Sequence, residues 1–370
     1  MLITRLSILI FRLEYAMREH IVSIFFCLFI VCTFSITLFN QVTGLFNPAE
    51  EKSDVNKGHE TELAQAGKEK EDGLLGMIDG FTSNLAGKSE GAKMASEISK
   101  ATSGNTYIES TQVLLGKDSW LFYKSNQDGD PIADYQGINH YSEDQMAQIA
   151  TKLEQERDYF ESLGCDFYIL SIPNKASVYP EYMPNSIKQE SKTSRTEIFM
   201  DYLKDNTDLN VVNAKDSLVA TKKAYQVYYK TDTHFNAIGS FMTVQALMEA
   251  INGNYDSLED VKFKKVSENY SGDLAALCDM QDTFNDDVMY ELDAESVNKK
   301  IKSDQKVLII GDSFSDHMVD IMSQYFAQVN TVNIWSFNLA MIQEYQPDVV
   351  VWECAERYTD RLDWVSLTSE

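Results

Sequence analysis

One run of residues governs the interpretation of this 370-residue chain: Lys306-Val307-Leu308-Ile309-Ile310-Gly311-Asp312-Ser313-Phe314. The predicted strand is 306–310, and its unbroken apolar stretch, 307–310, is typical of a strand covered on both faces. Glycine, aspartate and serine then favour a turn. The apolar residues that follow are spaced for one face of a helix: Phe314, Met318, Ile321 and Tyr325. The run therefore predicts a buried strand, a tight turn and a helix, with Ser313 in the turn.

The alternation of strand and helix continues on the amino-terminal and carboxyl-terminal sides of this run. Apolar runs predict strands at 165–172, 209–213, 331–335 and 348–352, and helical spacing predicts helices at 142–163, 193–206, 236–251 and 339–345. Two short strands are predicted within 113–123, and the acidic segment 252–303 is predicted to be irregular. We therefore expect an α/β domain of three layers, α/β/α, with a mainly parallel sheet. In such sheets the carboxyl ends of the strands carry the site.

The amino-terminal part of the chain has the composition of a membrane anchor. Residues 21–39 carry no charge, and at about 1.5 Å rise per residue a helix of this length crosses the hydrocarbon core. Arginines precede this segment and acidic residues follow it, which predicts a cytoplasmic tail at 1–20 and an extracytoplasmic chain after it. A cleaved signal peptide is the alternative, but no A-x-A cleavage site follows the apolar run. We expect an uncleaved, single-pass anchor in the cell membrane.

Residues 40–106 are predicted to form a low-complexity, flexible stalk. Between 47 and 106 the chain is rich in Glu, Lys, Gly, Ser and Ala, and Phe81 is its one aromatic residue. So little apolar surface does not offset the entropy lost on ordering. A short partner-binding helix around 74–85 is the alternative. The globular domain is then expected to span 107–370.

Charge and cysteine content exclude several classes of function. The formal net charge is −25, which repels phosphate backbones and excludes nucleic acid as a partner. Three of the five cysteines, Cys165, Cys278 and Cys354, follow the apolar segment, and an odd number forms no complete disulfide set. No Cys-x-x-Cys metal motif is present. The excess of acid is explained by solubility alone.

A second motif, Thr231-Asp232-Thr233-His234-Phe235-Asn236, precedes a predicted helix. In an extended backbone residues i and i+2 share a face, so the carboxylate of Asp232 can orient the imidazole of His234. His234 can then act as general base toward the Ser313 hydroxyl, whose turn amides can face an oxyanion. Each motif also has a structural explanation, because Gly-Asp-Ser is a common turn and histidines often cap helices. The distance between the two motifs does not follow from the sequence.

Other polar residues admit two interpretations each. His317 lies one helical turn after Ser313 and either lines the site or belongs to a helix surface. Asn174 and Lys175 either hold a turn or contact sugar. Asn338 either donates to an oxyanion or caps a helix. Two histidines and two aspartates without tight spacing make a poor metal site, so we predict none.

Taken in order, these motifs resemble those of the SGNH-type hydrolases, and within them the alginate O-acetyltransferase (AlgX/AlgJ-like, DHHW) proteins. The resemblance covers about 113–358. Its pieces are Leu115-Gly116-Lys117-Asp118-Ser119-Trp120-Leu121-Phe122-Tyr123, Asp134-Tyr135-Gln136-Gly137, Ile172-Pro173-Asn174-Lys175 with Tyr179-Pro180-Glu181 and Pro184, Thr231 to Asn236, Gly272-Asp273-Leu274, Gly311-Asp312-Ser313-Phe314, and Glu356-Arg357-Tyr358. Single pieces are weak, but seven in one order are specific.

The resemblance implies a triad of Asp232, His234 and Ser313, with Tyr358 orienting the substrate or the oxyanion. Most SGNH enzymes carry the serine first, and this chain, like the relatives it resembles, carries it last. Phe235 stands where relatives often have tryptophan, and we expect its packing role to persist. No metal and no soluble cofactor are implied.

The function implied is transfer of acetyl groups onto a polysaccharide outside the membrane. The donor implied is a multi-pass membrane-bound O-acyltransferase (MBOAT type). Two rivals stay open: an acetyl esterase that uses the same residues with water as acceptor, and a non-catalytic envelope scaffold that binds glycan or the membrane acyltransferase.

Overall fold

The computed structural model describes residues 110–362. The predicted tail at 1–20, membrane helix at 21–39 and stalk at 40–106 lie outside the described residues. Across 110–362, no helix is both long and apolar enough to cross a membrane.

Nine strands and ten α-helices make up the described domain. The strands are β1 (Val113–Leu115), β2 (Leu121–Tyr123), β3 (Asp166–Ile172), β4 (Asn210–Asn213), β5 (Phe263–Tyr270), β6 (Asp287–Leu292), β7 (Ser303–Gly311), β8 (Phe326–Asn333) and β9 (Val349–Ala355). The helices are α1 (Pro131–Gln136), α2 (Glu143–Ser162), α3 (Lys175–Val178), α4 (Arg195–Asn206), α5 (Lys215–Thr221), α6 (Ala237–Ile251), α7 (Asp273–Leu277), α8 (Ser313–Asp316), α9 (Val319–Tyr325) and α10 (Ala340–Tyr345). Short 3₁₀ helices lie at Lys117–Ser119, Pro180–Tyr182, Lys299–Ile301 and Glu356–Arg361.

Five strands form the central sheet in the order β4-β3-β9-β7-β8, and every neighbouring pair is parallel. One face is covered by α6 and α9, and the opposite face by α2, α4 and α10. Alternate strand residues enter the two hydrophobic clusters, as the two-residue period of a strand requires. The predicted three-layer α/β/α domain with a parallel sheet is therefore confirmed.

The strand order explains why the serine follows the histidine in this chain. Counted from β7 through β8, β9, β3 and β4, the order across the sheet is 2-1-3-4-5. This is a common doubly wound order. Here the chain forms the strands at positions 4 and 5 of that order, β3 and β4, before the other three. The halves β7-β8 and β9-β3-β4 are wound outward in opposite directions, so the strand order reverses between β7 and β9. A crevice opens outside the carboxyl ends of the strands at such a point. Ser313 directly follows β7 and lies at this crevice.

Three sequence predictions differ from the structure. The single helix predicted after the Gly-Asp-Ser turn is two helices, α8 and α9, separated by a turn at 317–318. The segment 252–303 is not irregular throughout, because β5 and β6 pair as an antiparallel ribbon with two register shifts. Most residues of β5 are exposed, so the apolar alternation that marks a strand is absent. The strand predicted at 331–335 runs instead over Phe326–Asn333, because this edge strand pairs with β7 alone and half of it faces solvent.

Candidate active site

The loop that carries Asp232 and His234 is fixed at both of its ends. An isolated antiparallel bridge joins Tyr228 to Phe235. Asn236 then caps α6, since its side-chain oxygen accepts hydrogen bonds from the amides of Ile238 and Gly239. The chain between the bridge and the cap is a short, closed loop, as the polar motif in front of an apolar helix predicts.

The structure brings Ser313, His234 and Asp232 into one hydrogen-bonded chain. His234 Nε2 lies 2.7 Å from Ser313 Oγ, and His234 Nδ1 lies 2.7 Å from Asp232 Oδ1. Asp232 is buried, whereas Ser313 is exposed to solvent. A hydroxyl reached by a base that is itself held by a carboxylate is the arrangement that nucleophilic acyl chemistry needs.

Donors surround the Asp232 carboxylate. Oδ1 accepts from the His234 amide at 2.9 Å, and Oδ2 accepts from the Tyr270 hydroxyl at 2.6 Å and from the Asp273 amide at 3.2 Å. Burial by itself raises the pKa of Asp232, but the hydrogen bonds from His234 and Tyr270 outweigh it and hold the pKa well below its ordinary value. Gly272 permits this approach, because a Cβ there would lie 2.4 Å from Asp232 Cβ. Asp232 is therefore an ionised, fully hydrogen-bonded partner for His234.

A second carboxylate, Asp273, braces the same loop. It accepts hydrogen bonds from both the amide and the hydroxyl of Thr233, and its Oδ2 lies 3.7 Å from His234 Nδ1. Burial and the nearby charge of Asp232 raise the pKa of Asp273. Asp232, His234 and Asp273 are also the ligand group that could hold a metal within 110–362. Their ligand atoms are instead engaged in hydrogen bonds with one another and with Thr233, which favours the hydrogen-bonded role.

The Ser313 turn is held from below by two buried acids. Asp312 accepts from the amides of Phe314 and Ala355, both at 2.9 Å, and its own amide donates to Glu353 Oε2 at 3.0 Å. A Cβ at Gly311 would lie 2.3 Å from Glu353 Oε2, so the glycine is required by this side chain. Burial, followed by the charge of Asp312, raises the pKa of Glu353 well above its ordinary value. Burial of Glu353 beneath the turn thus favours its protonated form.

The hydrogen bonds of Asp312 limit which backbone amides of the turn can donate to an oxyanion. Asp312 engages the amide of Phe314 through its side chain and the amide of Ser315 through its backbone oxygen. Of the first amides of the turn, that of Ser313 is left for a developing oxyanion. The side-chain oxygen of Asn338 accepts a hydrogen bond from the amide of Ala340, the first residue of α10, at 3.1 Å.

Lys175 is a residue whose role the sequence left open between turn and sugar contact. Its buried ammonium donates to the carbonyl oxygens of Tyr229, Lys230 and Asp232 at 3.0, 2.9 and 2.6 Å. Asp287, at the start of β6, clamps the same loop by accepting from the amides of Lys230 and Thr231. Lys175 is therefore a positioning residue for the loop. Asn174 is also buried, and its backbone amide donates to the Glu356 carboxylate.

Lys175→Met is expected to change how the stability of the protein depends on pH. Burial lowers the pKa of Lys175 to about 8 from an ordinary 10.5. Between these values the unfolded chain binds the proton and the folded chain does not, so stability from this group rises with pH. The free energy of unfolding of the wild type, relative to that of Lys175→Met, should increase by about 3 kcal/mol from pH 8 to 10.5. Urea unfolding of both full-length proteins measures it, and a constant difference would contradict it.

The remaining predicted residues lie around this centre. The ring of His317 lies 4.4 Å from that of His234, so His317 lines the site from the turn between α8 and α9. Phe235 is buried, and its ring is 5.0 Å from that of Phe314, so its packing role is present. The hydroxyl of Tyr358 donates to Asp128 at 2.9 Å instead of to Ser313.

Sequence reasoning did not identify Tyr270, the last residue of β5. Tyr270→Phe is expected to lower kcat/KM for acetyl-ester turnover by about tenfold, the order of one hydrogen bond to a charged group. The loss is expected because the Asp232 carboxylate then keeps fewer of the hydrogen bonds that orient it toward His234. Steady-state ester turnover at a fixed pH measures it. Tyr290→Phe, in the neighbouring strand of the ribbon, is the matched control; an unchanged kcat/KM in Tyr270→Phe would refute the role.

Comparison with known proteins gives a family and several relatives. The family model described as the SGNH hydrolase-like domain of the acetyltransferase AlgX matches residues 113–356. A probable alginate O-acetylase AlgJ of Pseudomonas putida is 29% identical over 143 residues, which cover 38% of this chain and 34% of that protein. Its counterpart from Pseudomonas syringae pv. tomato is 25% identical over 142 residues, covering 38% and 33%. The match thus spans about a third of the length of these curated relatives.

The comparison with solved structures gives matches that are more distant in sequence. The O-acetyltransferase domain of Pseudomonas putida AlgJ superposes with a TM-score of 0.48 and 20% identity, covering 70% of this chain and 94% of that one. A DHHW family protein from Eubacterium siraeum gives a TM-score of 0.47 and 15% identity, covering 70% and 100%.

Proposed function

This chain belongs to the family of SGNH hydrolase-like AlgX acetyltransferase domains, and on that premise we propose that it transfers acetyl groups to hydroxyl groups of a polysaccharide. One observation carries the proposal: the continuous hydrogen-bonded line from Asp232 through His234 to an exposed Ser313. The names of its AlgJ relatives, which describe alginate O-acetylases, support a polysaccharide acceptor.

In the proposed reaction the acetyl group moves in two steps, first to Ser313 and then to the acceptor sugar. In the first, Ser313 Oγ attacks the acetyl carbonyl carbon of the donor ester while His234 Nε2 takes the hydroxyl proton. The bond from the carbonyl carbon to the donor oxygen breaks, and the imidazolium returns the proton to that oxygen. Asp232, ionised and hydrogen-bonded to Nδ1, holds the ring orientation and stabilises the imidazolium. An acetyl ester on Ser313 is the product of this step.

In the second step a hydroxyl of the acceptor sugar attacks the acetyl-Ser313 carbonyl. His234 takes the proton of the attacking hydroxyl, the bond to Ser313 Oγ breaks, and the proton passes to the serine. The Ser313 amide is the donor from this turn for the oxyanion in both steps. Free enzyme and an acetylated sugar result.

We further propose that the chain works outside the cell, anchored by the uncharged segment 21–39. Acetyl-CoA is confined to the cytoplasm, so the acetyl group must reach the outer side of the membrane through a carrier. A multi-pass membrane-bound O-acyltransferase supplies that chemistry, and an anchor keeps the domain beside it. The absence of charge in 21–39 and the arginines before it support this arrangement.

Transfer is separated from hydrolysis by the fate of the acetyl group. The full-length protein is incubated with a chromogenic acetyl ester, with and without oligosaccharide, and acetylated sugar and free acetate are quantified. Acetylated sugar is expected when oligosaccharide is present. Acetate alone, whatever sugar is supplied, would establish the esterase. A serine-reactive phosphonate should label wild type and not Ser313→Ala, and an unlabelled wild type would favour the scaffold.

A further inference from the structure

A cluster of aromatic and cationic side chains lies beside the Ser313 turn, on the same edge of the sheet. Gly311 pairs with Asn333 across β7 and β8, and the amide of Ile334 donates to the Gly311 oxygen at 2.9 Å. Ser313 and Trp335 each lie two residues beyond this pair, after the carboxyl ends of the neighbouring strands β7 and β8. Trp335 is therefore at the same edge of the sheet as the candidate nucleophile.

Trp335 is a large aromatic residue whose side chain faces solvent. Its side chain is 40% exposed, and it belongs to none of the three hydrophobic clusters of residues 110–362. It is nevertheless held in place. Asn333 accepts a hydrogen bond from its amide at 3.0 Å, and the Trp335 ring stands edge-on to Tyr358 with centroids 5.6 Å apart. A fixed, solvent-facing indole beside a reactive centre offers a flat contact surface.

Tyr358 and Arg361 complete this surface. They lie three residues apart in the 3₁₀ helix Glu356–Arg361, where such positions eclipse one another. The Arg361 guanidinium carbon is 4.1 Å from the centre of the Tyr358 ring and 5.4 Å from that of Trp335. Asp128 fixes both side chains by accepting from Tyr358 at 2.9 Å and from Arg361 at 2.9 Å. The geometry is therefore set before any ligand arrives.

Arg357 connects this surface to the Ser313 turn. Its guanidinium carbon is 4.6 Å from the Tyr358 ring centre and 5.6 Å from that of Phe314. The residue is 7% exposed, and its Nε has no hydrogen-bond partner among the described residues. A buried donor without a partner is costly unless a ligand or water completes it. It lies between the Tyr358 ring and the ring of Phe314, the residue that follows Ser313 in the chain.

We propose that Trp335, Tyr358 and Arg361 form an acceptor platform on which a pyranose ring stacks through its apolar C–H face, with one hydroxyl turned toward Ser313. The proposal rests on the proposed function only for identifying the acceptor as a sugar. Because Asp128 already neutralises Arg361, the platform recognises the ring face and does not require a charged sugar.

Direct binding tests the platform without turnover. The full-length protein carrying Ser313→Ala is titrated calorimetrically with hexamannuronate and, separately, with cellohexaose. Adding Trp335→Ala should raise the Kd for the sugar at least about tenfold, whereas adding Trp335→Phe should change the Kd by no more than about threefold. Tyr225→Ala removes an aromatic side chain that is 50% exposed elsewhere and is the matched control. In the active enzyme, Trp335→Ala should raise the acceptor KM about tenfold with a much smaller change in kcat.

The outcomes separate the platform from the proposed function. If neither hexasaccharide binds, or if Trp335→Ala binds as tightly as its parent, the platform is wrong, and acetyl transfer through Ser313 still stands. If wild type binds sugar and loses it with Trp335→Ala but produces only acetate, the platform stands and the transferase proposal fails. Weakening of the same size in Tyr225→Ala would also overturn the platform, because the effect would not be local.

Discussion

Ser313→Ala is expected to abolish acetyl-ester turnover, with kcat lowered by about 10⁴ to 10⁶-fold, the cost of removing a nucleophile from a unit that acts together. The substitution removes the oxygen that His234 Nε2 reaches at 2.7 Å, so no acyl-enzyme forms. Stopped assays with a chromogenic acetyl ester measure the loss, and mass spectrometry should find an acetyl group on the wild type and none on the variant.

Ser162→Ala is the matched control for this experiment. Ser162 is an exposed serine at the end of α2, which leads into the amino end of β3 and so lies at the opposite edge of the sheet. Its hydroxyl donates to the Tyr159 carbonyl within the same helix. Its replacement should leave kcat within about twofold. If Ser313→Ala keeps more than a hundredth of the wild-type rate while it folds normally, Ser313 is not the nucleophile.

Asp232→Asn is expected to lower kcat by about 10³ to 10⁴-fold, because an amide in this place favours the wrong histidine tautomer. In the wild type, Oδ2 accepts from the Tyr270 hydroxyl and the Asp273 amide, while Oδ1 accepts from His234. Whichever way the asparagine side chain is turned, its NH₂ group, a hydrogen-bond donor, faces another donor: His234 on one side, or Tyr270 and the Asp273 amide on the other. The asparagine also loses the negative charge that stabilises the imidazolium.

Asp286→Asn supplies the comparison for Asp232→Asn. Asp286 forms an exposed ion pair with Lys230 at 2.8 Å. Lys230 is the residue directly before the active-site loop motif, which begins at Thr231. Exposed pairs contribute little, so kcat should change by less than about threefold. Circular dichroism in the near ultraviolet verifies that both variants keep their tertiary packing. Equal losses in the two variants would mean that the loop, and not the Asp232 carboxylate, is sensitive to substitution.

The local parts of this site were predictable because they depend on neighbours in the chain. Asp232 and His234 are two residues apart, and the helix cap at Asn236 is read from one polar residue before an apolar run. The buried strands β3, β7 and β9 were predictable for a similar reason, since strands covered on both faces are apolar throughout. Such signals need no knowledge of the rest of the fold.

The supports of the site were not predictable from these patterns. Tyr270 is on an exposed ribbon whose residues show no apolar alternation, and its contact with Asp232 spans 38 residues of chain. Glu353 is a charged residue type inside an apolar strand, and its contact with Gly311 follows from β7 and β9 being neighbours. Lys175 meets its three carbonyls only when the loop folds over it. In each case the two residues in contact are far apart in the sequence, and tertiary structure brings them together.

By itself, the sequence determined the parallel α/β architecture and the chemical types at the site, since periodicity and turn chemistry are local properties. Tertiary structure alone decided that His234 meets Ser313 across 79 positions of sequence. It also decided that β9 enters between β3 and β7, and that the ring of Trp335 stands edge-on to that of Tyr358. The physical reason is that side chains from distant segments meet only where the sheet order brings the carboxyl ends of their strands together.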